Sequence, residues 1–188
     1  MATLSAGAFT SVVAVMGFVA SSQASAIRVG ETTLAPFEHT MFCLSYPRDC
    51  LPRAGDLPLD TAERYAELDT INREINASIA FLVDKAASRY GRYWRVDPAS
   101  GDCNDYAVTK RHYLLRRGWP SAALLLAEVV LKSGEHHLVL VVKMKNAVVV
   151  LDNLETRVVP MKVALRTYRW SRIESEQNPK FWNAVAAN

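Results

Sequence analysis

At its centre the sequence reads Gly101-Asp-Cys-Asn-Asp-Tyr-Ala107, the start of a regular stretch. From Cys103 to about Arg117 the apolar residues recur at helical spacing, and Gly118 is typical of a helix end. Asp102 is placed to cap this helix, which puts Cys103 in its first turn. The N–H groups and positive dipole end of a helix start favour a thiolate over a thiol. This stretch therefore predicts a nucleophilic cysteine.

Three β-rich runs follow, over residues 123–132, 137–144 and 147–152, and a tight turn at residues 145–146 joins the last two as a hairpin. In an antiparallel pair the start of one strand lies beside the end of the next. His137 and Asp152 are therefore predicted to be cross-strand neighbours, with Cβ atoms about 4.5–5.5 Å apart. Strand alternation points His136 to the opposite face.

Cys103, His137 and Asp152 match the nucleophile, general base and orienting acid of a cysteine hydrolase. A free cysteine is more often a small core residue, so this order of residues alone leaves a structural Cys103 as the alternative. His39 and His112 have no comparable claim to chemistry and are interpreted as surface or hydrogen-bonded structural residues.

The remaining segments complete an α+β pattern. An amphipathic helix is predicted from Asp60 or Thr61 to about Lys85, with Asn72 and Asn76 placed either to support a neighbouring loop or to face solvent. Further strands are predicted at residues 156–161 and 168–173, with a short helical or irregular tail at 178–188. No regular element is predicted before residue 60.

Composition limits the possible functions. The chain has 188 residues, half of them apolar, which suits one packed domain, and a monomer is the default expectation. Its 22 Lys and Arg and 19 Asp and Glu are interspersed and leave a net charge of only +3. Such a balance does not favour binding to nucleic acid or anionic lipid.

The first 26 residues are interpreted as a signal peptide. An apolar stretch ends in Ala24-Ser25-Ala26, which has the small-x-small pattern of a signal-peptidase site. Cleavage there leaves residues 27–188 as the single mature domain, in the periplasm or secreted. An uncleaved N-terminal anchor is the alternative, because no Lys or Arg precedes the apolar stretch.

The cysteine count agrees with export. Cys43 and Cys50 flank a short segment that Pro47 can turn, whereas Cys103 stands apart. A disulfide here would stabilise the protein by roughly 2–3 kcal/mol in the chain-entropy model. Two buried free thiols are the alternative, and the spacing is not that of a zinc site.

The motifs around Cys103, His137 and Asp152 resemble those of the bacterial transglutaminase-like cysteine proteinases, whose best-known members are the LapG-type periplasmic proteases. The family pattern is close to Gly-Asp-Cys-Glu-Asp-Tyr-Ala, His-Met-Val-Leu and Leu-Asp-Asn-Leu. This chain has Gly101–Ala107, His137-Leu-Val-Leu140 and Leu151-Asp-Asn-Leu154 in the same order, with Trp94 ahead of the cysteine.

The resemblance implies a papain-like, transglutaminase-like core in which a nucleophile helix packs on an antiparallel sheet. It implies a protein substrate, a periplasmic or cell-surface protein, and a Cys103–His137–Asp152 triad that needs no cofactor. Trp94 is a candidate second oxyanion donor. Acyl transfer or deamidation of glutamine is the alternative reaction, and a catalytically silent peptide-binding module is the alternative outside catalysis.

The resemblance also implies two regulatory features. Acidic residues flanking the cysteine are associated with calcium in the LapG-type enzymes, which makes Asp102, Asn104 and Asp105 candidate ligands. Asn104 stands where the family commonly has Glu, so a calcium site is expected to be weaker or absent. An inner-membrane receptor that sequesters the protease is the other expectation.

Overall fold

A computed structural model describes residues 27–82 and 93–186 of the chain. Its helices and strands are β1 (Val29–Thr33), α1 (Phe37–Ser45), α2 (Ala62–Ser78), β2 (Ala80–Phe81), β3 (Ser100–Gly101), α3 (Cys103–Arg116), β4 (Leu124–Val130), β5 (His136–Lys143), β6 (Val148–Leu151), β7 (Val159–Pro160), α4 (Met161–Thr167), β8 (Arg169–Glu174) and β9 (Trp182–Val185). Short 3₁₀ turns lie at Pro47–Cys50 and Ser121–Ala123.

Seven of the described strands form one antiparallel sheet in the order β1-β9-β8-β4-β5-β6-β7. β4 and β5 are its centre, and nearly all of their residues are buried, because both faces of the sheet are covered. One face packs against α2 and α3 around Leu140, and α4 covers the other around Val139. The α+β class predicted from the sequence is confirmed.

The nucleophile helix and the hairpin form close to the predicted bounds. α3 runs from Cys103 to Arg116 and is followed by Gly118 at φ 86°, a conformation in which glycine avoids the penalty of a side chain. The hairpin pairs Leu140 with Leu151 and Lys143 with Val148.

Four details of the predicted secondary structure are wrong. α2 ends at Ser78, because residues 80–81 pair with β3 in a small parallel sheet. Residues 161–167 form α4 after Pro160 and bury Met161 and Ala164 against the sheet. The predicted irregular tail contains β9, which buries Trp182 completely. β1 and α1 form in the N-terminal region where no element was predicted, and the predicted helix end at Lys85 lies outside the described residues.

A disulfide joins Cys43 at the end of α1 to Cys50 in the following turn, as the spacing suggested. The proposed signal peptide lies outside the described residues. Within residues 27–82 and 93–186, no helix combines the length and apolar character needed to cross a membrane.

Candidate active site

The start of α3 is fixed by a reciprocal capping box. The Asp102 side chain accepts the N–H of Asn104 at 3.0 Å, and the Asp105 side chain accepts the N–H of Asp102 at 3.2 Å. Gly101 is required beside this arrangement, because a Cβ there would stand 2.3 Å from an oxygen of Asp105. The motif around Cys103 therefore first explains how the helix begins, and that start places the sulfur.

Cys103 opens into a cleft of about 530 Å³ between the start of α3 and the near end of the sheet. Its side chain is partly exposed, and it is the free cysteine of the chain. Trp94 and His137 line the same cleft, together with the partly exposed Leu82 and Leu154. A thiol in this position is reachable by a polypeptide from solvent.

His137 and Asp152 are hydrogen-bonded to each other at the edge of this cleft. The Nε2 atom of His137 lies 2.8 Å from Oδ1 of Asp152, and both side chains are almost completely buried. They are not directly opposite, because β6 ends at Leu151, whose partner is Leu140. Their contact is diagonal, with Asp152 in the turn beyond the strand. The bond at Nε2 leaves the Nδ1 side of the ring for Cys103.

The electrostatics of the pair favour a charged imidazole. Burial alone would lower the pKa of His137, but hydrogen bonds and charge interactions with Asp152 and Cys103 more than offset this and raise the pKa to about 9. Burial would likewise raise the pKa of Asp152, yet its hydrogen bonds with His137, Leu154 and Tyr168 hold it below its usual value. The site thus stabilises an imidazolium beside a carboxylate and a sulfur.

The second oxygen of Asp152 is held by a residue that the sequence did not indicate. The hydroxyl of Tyr168 donates to Oδ2, while the N–H of Leu154 donates to Oδ1 at 2.9 Å. From α2, the amide of Asn76 donates to the backbone carbonyl of Asp152 at 3.0 Å, and Asn72 donates to that of Glu155 at 2.7 Å. The two asparagines therefore support a loop, which was one of the two alternatives considered.

Cys103 and His137 thus line one cleft, and His137 is hydrogen-bonded to Asp152. The sequence model of the bacterial transglutaminase-like cysteine proteinases (BTLCP) matches residues 29–188. The chain belongs to this family. Membership places it among the cysteine peptidases. No match was found among curated proteins.

Three solved structures show the same fold. Legionella pneumophila LapG is similar with a TM-score of 0.51 and 20% identity, over 62% of this chain and 66% of LapG, just under two thirds of its length. EGTA-treated LapG from that organism gives 0.53 and 19%, over 69% and 70%. Calcium-bound LapG gives 0.54 and 19%, over 69% and 75%. The predicted transglutaminase-like fold is thereby confirmed.

Trp94, the candidate oxyanion donor, lies in the cleft but has extensive packing contacts. Its ring is edge-on to His39 with centroids 5.5 Å apart, and it also contacts Phe42 at 6.3 Å. Only 5% of the residue is exposed. This packing accounts for a tryptophan at the position, and its role as a hydrogen-bond donor stays a prediction.

Of the three candidate calcium ligands, Asp105 is the one most fully engaged by other groups. Asp105 is buried, and its two oxygens accept the N–H groups of Arg95 and Asp102 at 2.7 and 3.2 Å. The Arg95 guanidinium also lies 3.5 Å from Asp105, and Asp102 accepts from Asn104. Calcium requires six to eight converging oxygens, whereas both oxygens of Asp105 and one oxygen of Asp102 already accept backbone N–H groups.

The other histidines are bonded to carboxylates other than Asp152, although His136 also lines the cleft. His136 points away from His137 and bonds Glu128 at 2.8 Å with its own side chain 71% exposed. His112 bonds Asp49, and His39 is buried against Glu174.

Like Tyr168, Lys110 acts on Asp152 and was not indicated by the sequence. Its side chain is buried, and its Nζ atom has no hydrogen-bond acceptor among the described residues. Burial lowers its pKa to about 7, and Asp152 offsets only part of this effect. Its seven-residue spacing from Cys103 places both on one face of α3 and was the available signal.

Proposed function

We propose that this protein is an exported cysteine endopeptidase that hydrolyses peptide bonds of a periplasmic or cell-surface protein. The observation that carries the proposal is the position of Cys103 at a helix start, in one cleft with the hydrogen-bonded pair of His137 and Asp152. Family membership and the LapG-like fold support it. The disulfide and the sequence pattern of residues 1–26 support export.

In the first half of the reaction, the Cys103 thiolate attacks the carbonyl carbon of the substrate. The amide N–H of Cys103 has no acceptor among the described residues, because the Asp102 side chain accepts from N–H groups further along the first turn of α3, including that of Asn104. This N–H is the first candidate donor to the tetrahedral oxyanion, and Trp94 is the second. His137, as imidazolium, gives its proton to the leaving amine, and a thioester remains on Cys103.

In the second half, water attacks the thioester. His137 takes one proton from that water and keeps it, so the Cys103 thiolate leaves beside an imidazolium as at the start. The acid that is released gives its remaining proton to solvent and departs as a carboxylate. Asp152 keeps the Nε2–H of the imidazole directed toward itself, so that Nδ1 is the atom that exchanges protons at the sulfur. The sheet fixes His137 and the adjoining turn fixes Asp152, so little reorganisation is needed between steps.

The proposal is tested by incubating the wild-type protein and Cys103→Ala with surface and periplasmic proteins of the source organism. New N-termini found by mass spectrometry only with the wild type would support proteolysis. Glutamine mass changes without cleavage would instead indicate acyl transfer or deamidation. Binding of a partner with no Cys103-dependent product would indicate a silent module. Regulation by an inner-membrane receptor stays a prediction.

A further inference from the structure

The carboxylate of Asp152 accepts more hydrogen bonds than the single one that is needed to orient His137. Oδ1 accepts from His137 Nε2 at 2.8 Å and from the N–H of Leu154 at 2.9 Å. Oδ2 accepts the hydroxyl of Tyr168. The carboxylate is fully buried, and these three donors hold its orientation.

Tyr168 comes from a different part of the fold than the other donors. It lies at the junction of α4 and β8, and only 8% of it is exposed. Its ring is tilted against that of His137, with centroids 6.3 Å apart. The same side chain therefore contacts the imidazole with its ring and the carboxylate with its hydroxyl.

The surroundings of the Tyr168 hydroxyl favour its protonated, donating form. Burial, the hydrogen bond to Asp152 and the charge of Glu155 together raise the pKa of Tyr168 far above its usual value. Cys103 and Lys110 of α3 also act on this carboxylate and imidazole. Tyr168 is thus a constant donor among groups that change charge.

We propose that Tyr168 is a positioning residue of the catalytic site, which holds Asp152 and takes up part of its negative charge. A carboxylate that shares its charge with a second donor stabilises the neighbouring imidazolium less. His137 then releases its proton to the leaving amine more readily than it would beside an unshared carboxylate. This inference rests on the proposed function, because it assigns Tyr168 a role in that reaction.

The test uses Tyr168→Phe, which removes the hydroxyl and keeps the ring. The rate of Cys103 alkylation by iodoacetate is measured against pH by intact-protein mass spectrometry. This anionic reagent reacts fastest while the thiolate stands beside an imidazolium, so the falling limb at high pH reports deprotonation of His137. In the wild type this limb is expected near pH 9.

We expect Tyr168→Phe to move the falling limb upward by roughly 0.5 pH unit, since Asp152 then concentrates its charge on His137. Tyr113→Phe is the matched control, because the Tyr113 hydroxyl donates to Asp97 in an exposed tyrosine–aspartate pair. It should leave the limb unchanged. A limb that stays in place in Tyr168→Phe, or moves downward, overturns the proposal.

A double-mutant cycle guards against a loss of folding. In the Asp152→Asn background, adding Tyr168→Phe should no longer move the limb, because its target charge is gone. An equal shift in both backgrounds would indicate a general structural effect and would also overturn the proposal. If the wild type shows no imidazolium-dependent alkylation, the proposed cysteine–histidine chemistry itself fails, which is a distinguishable result.

Discussion

Among the described residues, two fully buried histidine–carboxylate pairs are built alike and placed differently. His137 bonds Asp152 at 2.8 Å beside the cleft, and His39 bonds Glu174 at 3.0 Å inside the core. In both, the carboxylate also accepts a backbone N–H, from Leu154 in the first pair and from Leu126 in the second. A histidine paired with a buried acid is therefore not sufficient to identify a catalytic site.

The difference lies at the other nitrogen of each ring. Nδ1 of His39 lies 3.3 Å from the indole Nε1 of Trp182, which donates to it, and Glu174 has Arg111 as a second partner at 3.4 Å. His137 has the Cys103 sulfur on that side, in a cleft open to solvent. One pair is closed by structural partners, whereas the other keeps a position for a reacting group.

The largest effect should come from removing each histidine in turn. We expect His137→Ala to lower peptidase activity by roughly 10³–10⁴-fold, since the proton transfers lose their base and acid. His39→Ala should instead destabilise the protein by about 3 kcal/mol, because it leaves Glu174 buried without one partner. Activity per folded molecule should change less than about 3-fold in that variant.

The measurement combines urea unfolding with activity assays corrected for the folded fraction. The comparison fails if the folded His39 variant is as inactive as the His137 variant. It also fails if His137→Ala retains most of its activity. Either result would mean that the occupied nitrogen of His39 does not separate the two pairs.

The part of this site that could be predicted from the sequence is the part encoded locally. Cys103 at the helix start and the hairpin with His137 and Asp152 follow from turn signals and from strand and helix periodicity. The contacts of Tyr168 and Asn76 with Asp152 depend on how distant elements pack. No spacing rule connects residues that are 16 and 76 positions from the one they contact.

The errors in the fold have a similar origin. Residues 80–81 continue an apolar helical pattern but pair with β3, and residues 182–185 form a strand only because β8 offers a free edge. Tertiary pairing overrode local propensity in both places. The outward orientation of His136, by contrast, followed from strand alternation alone.

An intermediate effect should come from Lys110, which sharpens the comparison of the two networks. Its chain neighbour Arg111 is paired with Glu174 and with the carbonyl of Leu124, whereas the Lys110 amine has no hydrogen-bond acceptor in the described part of the chain. We expect Lys110→Met to increase the free energy of unfolding by about 1–3 kcal/mol near pH 6, since it removes an unsatisfied buried cation.

The sign with pH follows from the lowered pKa of Lys110. Between about pH 7 and 10.5 the unfolded chain holds a proton that the folded chain has released, so this group makes the wild type more stable as pH rises. The stability advantage of Lys110→Met over the wild type should therefore be greatest below pH 7 and shrink toward pH 10.

Urea unfolding of both proteins across this range provides the measurement, and the contribution of His137 titration, present in both proteins, should largely cancel. Arg111→Met is the control and should destabilise at every pH; a constant or negative effect of Lys110→Met would contradict the assignment.

The smallest effect should be that of calcium, which tests how far this chain follows the calcium-bound LapG to which it is similar. Asp105 is already engaged by the N–H groups of Arg95 and Asp102, and Asn104 contributes no charge. At about 1 mM calcium, where weak extracellular sites fill, we expect no measurable rise in melting temperature over EDTA and less than a 2-fold change in activity. Asn104→Glu adds the carboxylate common in the family and is the matched variant. If the melting temperature of Asn104→Glu also does not respond to calcium, the capping contacts of Asp105 are the dominant obstacle to binding. If the melting temperature of the wild type rises by several degrees, these contacts must rearrange to admit the ion, and the assignment of Asp105 to helix capping alone is wrong.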